Sequence, residues 1–355
     1  MKSKRMLKVI LSMLSVTVFL SRGQTPAPPP RTGPGVQAPQ DAREPEVLAT
    51  CKTPPPPRGG GAGRGPGNAA AGPRDYMVPE IPGVIAAGER WKQIWTVEGN
   101  NGDGIIGTKD GGVMVARNDK SDVLKLDRDG KTSVVYTDTN TGGALSMSSK
   151  GVLFLNSRGL HEAVLELTPK RRVFADKFQG DPLDCIGGAL NDLMADSKGG
   201  VYFTMGGLFY TDPNGVVAKY GEKLQTNGII LSPDEKTLYV TNAGALAAFD
   251  VQKDGSLTNQ REFAKFQPPM GGDGSTIDST GRIYVTTNPG VQVIGSDGKW
   301  LGLIPTPRNV ISVAFSGPDK RTLYAVVQYR DEQNAQHGEI LTIRTIAQGY
   351  KGRAK

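Results

Sequence analysis

Four side-chain oxygen donors in this chain share a phase. Asp103, Asn191, Asn227 and Asp273 each stand 10 or 11 positions before the first apolar residue of a strand-like run, at Val113, Val201, Leu238 and Ile283. Two carboxylates and two amides form the donor set that a hard divalent cation takes, with water in the remaining positions. Calcium suits the set first, with magnesium and manganese as other oxygen-seeking ions. Zinc is less natural, because no His or Cys belongs to the set, and the only histidines, His161 and His337, lie outside it. The competing reading is local: Asp-Gly and Asn-Gly pairs also make hairpin turns, and such residues could tie strands together with no metal. Asp110, Asp196, Asp234, Asp278 and Asp319 recur at the next turn of the pattern and read as structural in that way. Turn chemistry alone, however, does not require four Asp or Asn residues at one phase.

The elements that must position these residues are visible as a repeat. GVMVARN, GVLFLNS, GVYFTMG, TLYVTNA, RIYVTTN and TLYAVVQ follow turn residues, with first apolar positions at Val113, Val152, Val201, Leu238, Ile283 and Leu323. The intervals are 39, 49, 37, 45 and 40 residues. Downstream of most anchors a further strand closes on an Asp-led turn, as in LKLDRDGK and FYTDPNGV. About four short strands in roughly 40 residues is the size of one propeller blade, so six units predict an all-β, six-bladed β-propeller. The leading residues of the six units are then Asp103, Gly142, Asn191, Asn227, Asp273 and Ser312, arranged around one end of the central channel. A pair of β-sandwiches would also show short strands and frequent turns, but it requires no constant phase across six units. GEILTIRTI at 338–346 is expected to supply a closing strand.

Composition bounds the rest. Residues 1–23 have a basic start, an apolar run from Val9 to Leu20 and a small-residue exit, the three parts of a secretory signal. The run is shorter than the roughly 20 residues that span a bilayer, so stable membrane insertion is not expected. The exit Ser21-Arg22-Gly23 lacks the preferred alanines, which leaves an uncleaved N-terminal anchor as the alternative to a secreted or periplasmic protein. Residues 24–75 hold 13 prolines and 9 glycines and read as a disordered spacer ahead of a propeller at 76–355. The formal charge of +7 resides in residues 1–75, whereas 76–355 balances to zero, so nucleic acid is not an expected partner. Cys51 and Cys185 are too few for a disulfide framework; export permits one bridge that fastens the tail to the domain, and free thiols are the alternative.

ALNDLMADSKGGVYFTM, QTNGIILSPDEKTLYVTN and GDGSTIDSTGRIYVTT, with ADKFQGDPL upstream and VAFSGPDKRTLYAV near the end, resemble the gluconolactonase and senescence-marker-protein (regucalcin) family of six-bladed propellers. The resemblance runs over roughly residues 95–330. It implies a divalent metal in the channel mouth held by a Glu, two Asn and an Asp, which fall on Asn191, Asn227 and Asp273 and, for the acidic member of the first blade, on Asp103 by phase or Glu98 by letter. The family usually reads Glu-Gly-Pro there, where this chain has GDGII after VEGNN. Phase favours Asp103.

The activity so implied is metal-dependent hydrolysis of a small-molecule sugar lactone. A lactone is an internal ester whose hydrolysis passes through a tetrahedral oxyanion, which a cation stabilises, and a carboxylate beside it can take the proton of the attacking water. Asp273 is assigned that catalytic role. No G-x-S-x-G elbow is present to suggest a serine nucleophile. Two other functions fit the fold: a metal-independent enzyme like strictosidine synthase, and a non-catalytic ligand-binding propeller.

Overall fold

The computed structural model describes residues 41–53, 55 and 73–355; the expected signal and most of the expected spacer lie outside the described residues. Six four-stranded antiparallel sheets follow one another along the chain. The innermost strands are Ile105–Gly107, Gly142–Met147, Leu193–Ala195, Thr226–Leu231, Ser275–Ile277 and Asn309–Ser316, for blades one to six in order. Each packs against the innermost strands of its two neighbours, and blade six returns to blade one, which closes the ring around a channel. The chain is an all-β, six-bladed β-propeller.

Within a blade the strands meander outward because each reversal has its own chemistry. In blade three Asp196 Oδ1 accepts the backbone N–H groups of Lys198, Gly199 and Gly200 at 2.7–2.9 Å, and its Oδ2 accepts the Tyr210 hydroxyl at 2.9 Å. Asp278 in blade five does the same with the N–H groups of Thr280 and Arg282 and the Tyr284 hydroxyl. Both carboxylates are buried and committed to turns, so these aspartates are structural.

The core lies between sheets. The few aromatics are concentrated there: Tyr202, Phe203, Phe209, Phe249, Phe266 and Tyr284 are all fully buried. Tyr284 of blade five meets Phe315 of blade six edge-on at 4.9 Å, the kind of contact that holds adjacent blades face to face.

Closure uses both ends of the domain. Gln336–Arg344, which covers most of the expected closing segment, is the third strand of blade six, and the fourth is Lys92–Glu98, paired antiparallel with it. The sheet is therefore finished by a strand from ahead of blade one, which ties the ring shut. Ile81, Val84, Ile85 and Trp91 lead into that strand and bury themselves against blades five and six, with the Trp91 indole N–H donating to the Pro305 carbonyl at 2.8 Å.

Part of the stretch read as spacer has structure. A short helix, Glu44–Leu48, precedes Cys51, which is bonded to Cys185 with the Cα atoms 5.6 Å apart. The bridge fastens this segment to the 3₁₀ turn Leu183–Ile186, just before blade three. Among the described residues no helix is long and apolar enough to cross a membrane.

At the other end of the channel, residues 349–355 cross beneath the ring. Gly349 bridges to Asp278, the Tyr350 N–H donates to the Ile277 carbonyl at 3.1 Å, and Ala354 bridges to Met147. Those partners sit at the far ends of the innermost strands, so the segment stoppers the channel opposite the ends where Asp103, Asn191, Asn227 and Asp273 stand.

Candidate functional site

Strand register decides which residues share the ring. Ile105 pairs with Val115, Leu145 with Leu155, Leu193 with Phe203, Ile229 with Val240, Ser275 with Val285 and Val313 with Ala325. Two residues before each of these inner-strand positions stand Asp103, Gly143, Asn191, Asn227, Asp273 and Ile311. The four candidate donors are thus equivalent, as their phase predicts. In blades two and six register puts Gly143 and Ile311 in the ring, where spacing pointed to Gly142 and Ser312; in blade two the strand begins at Leu153, one residue after Val152, and in blade six Leu323 pairs with Phe315 across a longer turn than the one between Gly107 and Val113.

The backbone at these positions is stitched from blade to blade. The Gly104 N–H donates to the Gly143 carbonyl, and the Gly274 N–H to the Ile311 carbonyl, both at 2.9 Å. The Thr204 hydroxyl donates to the Asn227 carbonyl at 2.5 Å, and the Thr286 hydroxyl to the Ile311 carbonyl at 3.1 Å. This approach explains the glycine after three of the donors. A methyl on Gly104 would sit 2.6 Å from the Gly143 carbonyl oxygen, and one on Gly228 would overlap the Asp273 carbonyl, so no other residue fits between neighbouring strands. Neither glycine has a positive φ, which separates these pairs from hairpin turns.

The exposed ends of the ring differ in their surroundings. Glu98 lies on the outermost strand of blade six, opposite His337 and exposed, outside the ring that holds Asp103. Asp103 itself is paired with Arg158, whose side chain is 4% exposed. Arg158 follows the second strand of blade two and lies over Gly143, where a methyl would overlap it. Its Nε donates to the Leu190 carbonyl at 2.7 Å and its Nη2 to the Asn191 carbonyl at 2.5 Å. Asn156 joins it, donating to the Asn191 carbonyl and accepting the Ala144 N–H at 2.5 Å. Blade two, lacking a ring side chain, thus contributes a cation from just past its next strand and links Asp103 to Asn191. Asn227 Oδ1 is buried and accepts no hydrogen bond among the described residues.

One layer deeper a second cation appears. Asp192, buried, receives the Ile229 N–H on Oδ2 at 3.0 Å, and its Oδ1 pairs with Lys355 Nζ at 2.5 Å. The same ammonium donates to the Leu193 and Ile229 carbonyls, each at 2.9 Å. Burial pushes the Lys355 pKa below its ordinary value, while Asp192 pulls it back up.

Sequence spacing leads to Asp103, Asn191, Asn227 and Asp273 but not to Arg158, Asp192 or Lys355. The signal that could have led to Arg158 is the glycine that spacing puts at the ring position of blade two, a place with no side chain. Nothing local points to Lys355, which reaches the channel from outside the repeats. Among the described residues no three His, Cys, Asp or Glu side chains gather as a metal cluster; the ring offers two carboxylates and two amides.

Comparison with known proteins agrees with this architecture. The chain is 28% identical over 189 residues to a gluconolactonase from Zymomonas mobilis, covering 44% of this chain and 52% of that protein. It is 30% identical over 189 residues to a lactonase from Staphylococcus saprophyticus, covering 46% and 57%. The chain thus spans about half the length of the curated relatives it matches. Among solved structures, a gluconolactonase from Xanthomonas campestris superposes with a TM-score of 0.62 at 19% identity, over 79% of this chain and 98% of that one. A calcium-binding protein, regucalcin, from Agrobacterium tumefaciens does so with 0.57 at 17%, over 74% and 98%. The model of the SMP-30/gluconolactonase/LRE-like region matches residues 131–328, more than half of the chain and inclusive of Asn191, Asn227 and Asp273. On that match and on the six-bladed ring, the chain belongs to the SMP-30/gluconolactonase/LRE-like family.

Proposed function

We propose that the protein hydrolyses a small lactone at the channel mouth, with a divalent cation, calcium by preference, held by Asn191, Asn227 and Asp273. The observation that carries this reading is the Asn227 Oδ1. A buried amide oxygen without a hydrogen-bond donor is costly, by about 1–3 kcal/mol, and a cation would relieve it. Asn191, Asn227 and Asp273 are pure oxygen donors on three consecutive blades, so their chemistry fits such an ion. Asp103 is paired with Arg158 and is not counted among the cation's holders.

When bound, the cation would polarise the lactone carbonyl and offset the charge of the tetrahedral intermediate. The chain's own residues do the remaining work. Asp273 takes a proton from the attacking water as the C–O bond forms, and returns it to the ring oxygen as that oxygen leaves, giving a hydroxy acid. Arg158 and Asp103 neutralise each other beside Asn191. The closed far end leaves substrate a single approach, from the mouth.

The test is Asp273→Asn in the full chain, assayed with a panel of aldonolactones in calcium, manganese, magnesium or zinc and after chelation. Expected is a loss of turnover of about 100-fold or more, the range for removing a general base, together with chelator sensitivity of the unsubstituted protein. Turnover unchanged by Asp273→Asn refutes the assignment. The Arg158–Asp103 pair favours a second reading, in which the mouth works without metal; turnover that survives chelation, or ligand binding without turnover, would select it.

A further inference from the structure

We propose that the channel contains a second cation site, directly beneath the mouth, which the chain fills with its own Lys355 ammonium. The geometry is that of a coordinated ion. Three oxygens meet the three N–H donors of one ammonium: Asp192 Oδ1 at 2.5 Å and the carbonyls of Leu193 and Ile229 at 2.9 Å each. The Lys355 and Asp192 side chains are 4% and 9% exposed, so this charge pair lies out of water. The two carbonyls belong to innermost strands, whose channel-facing edges have no further strand among the described residues to satisfy them.

Position gives the site its consequence. Leu193 and Ile229 lie two residues along their strands from Asn191 and Asn227, and Asp192 is the immediate neighbour of Asn191. Asp192 also takes the place that glycine holds after the other three ring donors, and it fastens blade three to blade four through the Ile229 N–H at 3.0 Å. Lys355 therefore clamps the two blades that carry the amide donors, which makes it a positioning residue for the mouth. Its own delivery is firm: Thr276 Oγ1 donates to the Lys355 carbonyl at 2.7 Å, Ala354 is bridged to Met147, and Arg353 Nη2 donates to the Ser232 carbonyl at 3.0 Å.

The experiment substitutes Lys355→Met in the full chain, keeping length and removing charge, beside Lys355→Met combined with Asp192→Asn. Thermal unfolding is recorded at matched ionic strength in sodium, methylammonium, tetramethylammonium and calcium chlorides, and calcium uptake is measured by equilibrium dialysis with elemental analysis. The expected result for Lys355→Met is a Tm lowered by about 5 °C or more in sodium, regained at least half by methylammonium or calcium but not by the bulky tetramethylammonium, and about one more bound calcium than the unsubstituted chain. The double variant is expected to lose both responses, since position 192 no longer carries a charge for a cation to offset. If Lys355→Met cannot be obtained folded, recovery of folded protein in the double variant supports the site. A Lys355→Met protein with unchanged Tm and unchanged uptake, or a double variant as damaged as the single one, overturns the proposal. The readouts are stability and stoichiometry, so the outcome stands apart from whether any lactone is turned over.

Discussion

Gly143→Ala should damage this protein although the residue makes no side-chain contact and has no unusual φ. A methyl there would overlap the Arg158 guanidinium, which would have to retreat by about 1 Å or more to reach ordinary van der Waals separation. That movement takes the bonds to the Leu190 and Asn191 carbonyls, now 2.7 and 2.5 Å, to the limit of hydrogen bonding or beyond, and loosens the pair with Asp103. Hydrogen bonds to charged groups contribute about 1.5–3 kcal/mol each, and breaking a buried ion pair costs about 3–5 kcal/mol. Asp103 is partly exposed, so water restores some of this; the net loss is about 2–4 kcal/mol, or about 3–7 °C in Tm for a domain of this size. The assay is a double-mutant cycle by denaturant unfolding with Arg158→Met. A methionine can turn aside from the new methyl, so Gly143→Ala should cost under about 1 kcal/mol in that background, giving a coupling of about 2–3 kcal/mol. Equal costs in the two backgrounds would refute the account, because the methyl would then be acting on something other than Arg158.

Two further outcomes follow from the same structure. The Cys51–Cys185 bond spans 134 residues, for which the chain-entropy model gives a ceiling of about 5 kcal/mol; because reduction also frees the tail in the folded protein, Cys185→Ser should cost well below that, while making residues 41–53 sensitive to limited proteolysis and leaving 76–355 resistant. Resistance at 41–53 without the bond would contradict a tethering role. Asp319, bonded to Arg344 and to the Arg321 N–H, has its pKa lowered to about 2 from 3.8 by the Arg344 hydrogen bond foremost. Its stabilisation is fully present above pH about 4 and lost as pH falls toward 2. Both side chains are substantially exposed, which limits it to under about 1 kcal/mol. The Tm difference between the protein and Arg344→Gln should therefore shrink over that interval, and a difference that persists at pH 2 would rule the pair out as its cause.

The blade repeat was legible because it is local. Each unit's strands, Asp-led turn and leading residue lie within some 40 consecutive positions, so period and phase alone predicted both the ring and the equivalence of Asp103, Asn191, Asn227 and Asp273. Phase also preferred Asp103 to Glu98, and the sheet order places Glu98 on an outermost strand. Where the second strand starts a residue late, in blade two, or the turn before it is longer, in blade six, spacing missed by one residue and register supplied Gly143 and Ile311.

What tertiary structure decided lies between units. The closing strand Lys92–Glu98 pairs with residues some 240 positions away, and either of two cysteine states was compatible with the composition until Cys51 and Cys185 were brought together. Arg158 and Lys355 make the same point within the candidate site. A buried charge has meaning only through the oxygens around it, and those oxygens come from strands of separate blades and from a segment that crosses beneath the ring. Sequence alone therefore determined the repeating frame and its four oxygen-bearing positions, because hydrophobic period and turn chemistry act over a few residues. Only the folded ring decided how those positions are charged, since electrostatic compensation depends on distance in space.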